Sequence, residues 1–265
     1  MITPPIILTI AGSDCSGGAG IQADIKAISA LKAYAASAIT AVTVQNTLGV
    51  QSSLPMPCDT VRDQIRAVMD DLNPQSIKIG MVFNAEIALT IAHTLQEYAP
   101  QHIVYDPVMI STSGHRLITE ESIETIKGTL LPLSTLITPN LHEAQLLFGD
   151  TISTITHMEQ TARQLADTYH TSVLIKGGHL EGNTMCDVLY DSTARQIHHY
   201  TSEKIETHNL HGTGCTLSSA IATLLAQGQP LHQAVASAKK YITEAIFLGS
   251  NMQIGHGNGP VWHFV

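Results

Sequence analysis

The sequence is short of charge. Only 13% of its 265 residues are Asp, Glu, Lys or Arg, about half the roughly 25% usual in globular proteins. Cations are scarcest. Lys and Arg together number 13 against 22 Asp and Glu, the net charge is −9, and the 14 histidines outnumber the cations. Gripping a phosphate backbone takes clustered Lys and Arg, so no nucleic-acid partner is expected. Any anionic substrate must be held with few cationic side chains. Long hydrophobic runs are missing as well. No stretch reaches the ~18 apolar residues of a transmembrane helix, and Met1-Ile2-Thr3-Pro4-Pro5 lacks the basic start of a signal peptide. Cys15, Cys58, Cys186 and Cys215 form no CxxC pair. That argues against a zinc site or disulfide framework and for a reduced, cytoplasmic protein without a membrane partner. No Pro/Gly/Ser-rich stretch, charge block or repeat divides the chain, so residues 1–265 are expected to form one domain. What is plentiful is apolar: 44% of residues are hydrophobic, enough for a large core.

Apolar strand-like runs alternate with helical patterns. Ile6-Ile7-Leu8-Thr9-Ile10 reads as a buried strand leading into a glycine-rich turn, and Ile21, Ile25, Ile28 and Leu31 share one helical face. Further strands are expected at residues 39–44, 76–79, 103–105, 136–138 and 173–175. Residues 187–190 and 196–200 look like a two-stranded excursion. Helices are expected near 61–72, 86–98, 158–169 and 231–247, with another along the stripe Leu217, Ala220, Ile221, Leu224 and Leu225. Alternation of this kind implies an α/β fold, a mostly parallel sheet with helices on both faces. Ligands of such sheets bind beyond the carboxyl ends of the strands. Asp106, Asn140, Lys176 and the first glycine loop stand at those ends.

Four segments carry candidate chemistry. Ala11-Gly12-Ser13-Asp14-Cys15-Ser16-Gly17-Gly18-Ala19-Gly20 lies between a strand and a helix, where backbone N–H groups can meet an anion. It fits neither GxGxxG nor the P-loop, and a plain tight turn is the alternative. His211-Gly212-Thr213-Gly214-Cys215 precedes an amphipathic helix and can form an anion-binding nest. Cys215 there is expected to have a lowered thiol pKa, unless it is simply a small buried residue. In Thr138-Pro139-Asn140-Leu141-His142-Glu143, Asn140 and Glu143 suit a capping box; Glu143 and Asp106 could alternatively hold Mg²⁺. Lys176-Gly177-Gly178-His179 follows a buried strand and suits either a phosphate or a solvated turn.

Taken together and in this order, the segments resemble the ribokinase-like superfamily. The match is closer to one branch, the hydroxymethylpyrimidine/phosphomethylpyrimidine kinases. Gly12 to Asp24, Gln45-Asn46-Thr47, Lys78-Ile79-Gly80-Met81, Asp106-Pro107-Val108-Met109, Ile137-Thr138-Pro139-Asn140, Lys176 to His179 and His211 to Ala220 carry it. The resemblance implies two successive phosphorylations of a pyrimidine by ATP. It implies that Gly12, Asp24, Gln45, Met81 and Val108 line the pyrimidine pocket. Gln45 suits an aminopyrimidine because its amide both donates and accepts. The resemblance further places Asn140 and Lys176 on the nucleotide and Mg²⁺ near Asp106 and Glu143. Gly212, Thr213 and Gly214 would stabilise the transferred phosphoryl group, Cys215 would be catalytic base, and the assembly would be a homodimer. Three rivals remain: a pyridoxal kinase of the same Cys-bearing lineage, a cysteine hydrolase using Cys215 with His211, and a non-catalytic binding module. Gln45-Asn46-Thr47 favours the pyrimidine branch.

Overall fold

The structure, a computed structural model, describes residues 3–109, 118–178 and 184–265; His179 lies outside them. β1 (Ile6–Asp14) leads through α1 (Gly20–Ala30) to β2 (Tyr34–Asn46) and β3 (Gly49–Pro55). There follow α2 (Cys58–Leu72), β4 (Ser76–Ile79), α3 (Ala85–Tyr98), β5 (Ile103–Tyr105), α4 (Glu120–Leu133) and β6 (Leu136–Ile137). The chain continues through α5 (Leu141–Phe148), α6 (Ile155–Tyr169), β7 (Ser172–Ile175), β8 (Thr184–Asp191) and β9 (Gln196–Glu203). α7 (Thr213–Ala226) and α8 (Leu231–Gly249) complete it.

The nine described strands form one sheet, ordered β3-β2-β1-β4-β5-β6-β7-β8-β9. The six central strands, from β2 to β7, are parallel, while β3, β8 and β9 pair antiparallel at the edges. Strand alternation sends neighbouring side chains to opposite faces. Leu8, Ile77, Ile79, Ile103 and Tyr105 therefore join a core with α2 to α6. Ile7, Val104, Leu136 and Leu174 join a second core with α1, α7 and α8. Both faces being covered explains why the central strands read as apolar runs.

Lys78 is the exception in such a run. Between the apolar neighbours Ile77 and Ile79 it is fully buried, on the side of α1 and α7, where its ammonium meets Asp24. The strand order reverses between β2-β1 and β4, which makes the crevice above β1 and β4 the topological switch point.

Candidate active site

The two glycine loops, distant in sequence, are one interlocked structure. Gly212 has a left-handed backbone (φ 85°), and a Cβ there would lie 1.8 Å from the Gly18 carbonyl oxygen. A Cβ on Gly18 would in turn lie 2.3 Å from Cδ2 of His211. No side chain fits either place, so both glycines are required by the close approach of the loops.

Asp14 organises the first loop. Its Oδ1 accepts from the Ser16 N–H (2.9 Å) and hydroxyl (2.7 Å), and its Oδ2 accepts from the N–H groups of Gly18 (3.2 Å) and Ala19 (2.8 Å). His211 Nε2 lies 2.8 Å from the same Oδ2. Burial alone would raise the Asp14 pKa, yet the bonds from His211, Ser16 and Ala19 outweigh it and hold the carboxyl well below the usual range. Sequence reading passed over Asp14. The signal was present, since an Asp two residues before Ser in a glycine loop marks an Asx-turn.

Several residues expected around a pyrimidine gather beside this loop. The methyl of Met81 packs on Gly12, whose own Cβ would lie 2.6 Å from Met81 Cε. Thr40 donates to the Met81 carbonyl (2.8 Å) and so fixes its backbone. Gln45 lies with its side-chain amide 3.1 Å from His211 Nε2, and its main chain bonds Cys15 Sγ in both directions. Val108, just past β5, is half-buried. Asp24 is placed differently from the expectation. Its side chain has no exposed surface. Its oxygens accept from Lys78 Nζ (2.9 Å to each), Thr9 Oγ1 (2.5 Å) and Ser219 Oγ (2.8 Å). Asp24 is therefore enclosed among these partners and ties β1, β4 and α7 together, because a buried carboxylate goes where its partners are.

A second group forms beyond β5, β6 and β7. Lys176 Nζ donates to Asp106 Oδ1 (2.6 Å), which also accepts from Thr138 Oγ1 (3.1 Å). Asn140 and Lys176 are bridged backbone to backbone. Asn140 and Glu143 do form the capping box of α5: Asn140 Oδ1 accepts from Glu143 N–H and Glu143 Oε2 from Asn140 N–H, each at 2.9 Å. Burial, together with the Asp106 charge, pushes the Glu143 carboxyl up to about 7 against the pull of Lys176 and backbone donors. Lys176, despite burial, is held above its ordinary value by Asp106 and Glu143.

The first turn of α7 touches both groups. Gly212 meets Gly18, while a Cβ on Gly214 would lie 3.1 Å from Asp106 Oδ2 and 3.3 Å from Lys176 Nζ. The Thr213 N–H and hydroxyl both bond the Leu210 carbonyl. The Gly214 and Cys215 N–H groups have no protein partner among the described residues, as expected of the first amides of a helix. Of the expected Gly212-Thr213-Gly214 set, only the Thr213 N–H is taken by another residue; the Gly212 N–H, like that of Gly214, has no protein partner among the described residues. The expectation of a lowered Cys215 pKa is also corrected. Burial pushes the thiol up to about 11, and Asp24 and Asp106 add to the rise. Lys78 and the Gly20 N–H pull the other way without winning.

Comparison with known proteins identifies relatives over nearly the whole chain. The model of the phosphomethylpyrimidine kinase family matches residues 14–262. The hydroxymethylpyrimidine/phosphomethylpyrimidine kinase of Bacillus subtilis is 45% identical over 97% of this chain and 94% of its own. A thiamine biosynthesis bifunctional protein of Geobacter sulfurreducens is 46% identical over 98% of this chain, which spans only 52% of that larger protein. Among solved structures, a Bacillus subtilis pyridoxal kinase in complex with ADP superposes with a TM-score of 0.89 at 34% identity, covering 98% of each chain. The shared fold does not separate pyrimidine from pyridoxal kinases, but the family match runs from Asp14 in the first glycine loop through the second loop and the strand ends between them, and by it the chain belongs to the phosphomethylpyrimidine kinase family.

Proposed function

We propose that this protein transfers the γ-phosphate of ATP to hydroxymethylpyrimidine and then to the resulting monophosphate, supplying the pyrimidine diphosphate of thiamine biosynthesis. The observation that carries the reading is the first turn of α7, which touches the pyrimidine-side loop through Gly212 and the Asp106–Lys176 pair through Gly214. A phosphoryl group passing between two substrates needs one set of donors facing both.

In this reading Gly12, Met81 and Val108 supply the walls of the pyrimidine pocket and Gln45 reads the ring edge, with Asp24 supporting them from behind. Asn140 and Lys176 serve the nucleotide. Asp106 suits a hard cation, since its Oδ2 accepts no hydrogen bond from the described residues while Oδ1 is taken by Lys176 and Thr138. Glu143, already engaged in its capping box, would assist through water. Mg²⁺ held there would neutralise charge on the phosphates. In the transfer the substrate hydroxyl oxygen forms a bond to Pγ, the bond from Pγ to the bridging oxygen breaks, and the hydroxyl proton leaves. The Gly214 and Cys215 amides stabilise charge on the moving phosphoryl group, with Gly212 and Thr213 shaping the turn. Cys215 accepts the proton when its thiol is ionised.

Mass spectrometry of products from hydroxymethylpyrimidine, ATP and Mg²⁺ tests the proposal. Mono- and diphosphate products are expected, with pyridoxal a poorer acceptor under the same conditions. Absence of any phosphorylated pyrimidine would refute the reading, and preferential phosphorylation of pyridoxal would reassign the substrate.

The proposal extends to a homodimer in the cytoplasm. Supporting it, Val42 and Leu54 face each other across β2 and β3, and Val44, Leu48 and Val50 add to an exposed apolar area that leaves Leu54 69% accessible. The four cysteines, all free, suit a reducing compartment. No described helix is long and apolar enough to cross a membrane. Sedimentation of the full 28.4 kDa chain is expected to give twice that mass, and Leu54→Glu is expected to give the monomer. A wild-type monomer would sink the dimer.

A further inference from the structure

His211 Nε2 faces two groups at once: Asp14 Oδ2 at 2.8 Å and the side-chain amide of Gln45 at 3.1 Å. The proton on that nitrogen can be placed. Asp14 is an anion fixed by four loop hydrogen bonds. Two lone pairs cannot face each other at 2.8 Å, so Nε2 carries the hydrogen. A protonated Nε2 cannot also accept from an amide NH₂. The Gln45 atom turned towards His211 must therefore be Oε1, the half-turned amide, which costs nothing in shape.

The other end of the amide agrees. Thr43 Oγ1 lies 3.0 Å from the Ser13 carbonyl, which takes its hydrogen, and 3.3 Å from the far end of the Gln45 amide. With its proton committed to Ser13, the Thr43 hydroxyl can only accept, and the Gln45 NH₂ satisfies it. One arrangement fits all four partners. Gln45 then presents an acceptor on the His211 side and a donor on the Thr43 side, in fixed order.

We propose that His211 is a positioning residue that sets the orientation of the Gln45 amide and through it the selection of an aminopyrimidine over a pyridine. An amino group beside a ring nitrogen matches an ordered acceptor–donor edge with two hydrogen bonds. A pyridine ring without an amino group leaves the second lone pair of the amide oxygen without a donor, which this half-buried site penalises. The role rests on the pyrimidine kinase reading. It is also separate from the turn that follows His211 in sequence, because it acts through the side chains of His211 and Gln45 and not through backbone amides.

The test is steady-state kinetics of the full-length enzyme with hydroxymethylpyrimidine, pyridoxal and ATP. His211→Phe keeps a ring against Gly18 but removes the donor. Its KM for hydroxymethylpyrimidine should rise about tenfold, roughly the worth of one oriented hydrogen bond. The KM for ATP should stay within about twofold, and the preference over pyridoxal should shrink. His211→Gln, which can place an NH₂ near the former Nε2, should restore most of the loss. In a Gln45→Ala background His211→Phe should have little further effect on the pyrimidine KM. Equal losses for ATP and pyrimidine, additivity in the double variant, or no KM change would each overturn the role. If His211→Phe does not fold, His211→Asn takes its place, being polar but too short. Failure of the wild type to phosphorylate the pyrimidine would instead count against the functional reading.

Discussion

Lys78→Met should destabilise the protein by about 3–5 kcal/mol, the usual cost of removing one partner from a buried ion pair. The ammonium donates to both Asp24 oxygens at 2.9 Å, and neither side chain has exposed surface. Burial by itself would lower the Lys78 pKa, but the field of Asp24, helped by Cys215 and Asp106, holds it above its ordinary value, so the lysine is charged at neutral pH. Methionine fills much of the same volume and leaves the buried Asp24 carboxyl without its cation. For a chain of this size the loss amounts to a melting-temperature drop on the order of 10 °C. Adding Asp24→Leu should recover part of it, because no buried carboxyl is then left without its cation. Recovery should be incomplete, since Thr9 and Ser219 lose their shared acceptor. Thermal unfolding of the wild type, the single variant and the double variant decides this. A single variant as stable as wild type would mean that the ion pair is not what holds β1, β4 and α7 in place.

Cys215→Ala should lower pyrimidine turnover at least about tenfold, within reach of the ~10²–10⁴ that general bases contribute. The pH dependence follows from the raised thiol. With a pKa pushed up to about 11, the thiolate is a minor species at neutral pH, and it grows about tenfold per pH unit until that value is approached. Wild-type turnover should therefore climb between pH 7 and 9, and the alanine variant should lose the climb. Turnover near wild type in a folded Cys215→Ala protein would remove the sulfur from the mechanism. A tenfold loss without any change in pH slope would make Cys215 a thiol that positions the hydroxyl and takes no proton.

The sequence announced the sheet because both faces of it are buried. Runs such as Val173-Leu174-Ile175 have no polar side to confuse them, and each stops at the residue that enters the site, as Ile175 does before Lys176. The edges were less legible. Gly49–Pro55 is exposed along nearly its whole length, so β3 has no apolar pattern and is held by pairing with β2 alone. α4 escaped notice because its stripe is interrupted by Pro132 in the last turn. At the site, residue types pointed to the right places, but partners did not follow from them. Asp24 looked available for a ligand until Lys78, 54 residues away, was found to claim it. The thiol shift of Cys215 depends on how deeply α7 sinks between two ion pairs, which no local motif encodes. His211 was legible as part of a glycine motif, while its bond to Asp14 joins residues 197 apart.

That separation also governs when the site comes into being. Asp14 with His211, and Asp24 with Ser219 at a separation of 195, are closures that a chain emerging from the ribosome cannot make until most of it has been synthesised. Earlier strands and helices can form by nearer contacts, but the pocket assembles only when α7 docks, and contacts this distant in sequence are slow to form. A nascent chain lacking α7 has no substrate site at all. For the finished chain, ligands that bridge the two loops add their binding energy to the last closure, so substrate and nucleotide act as stabilisers of the late-forming half of the fold.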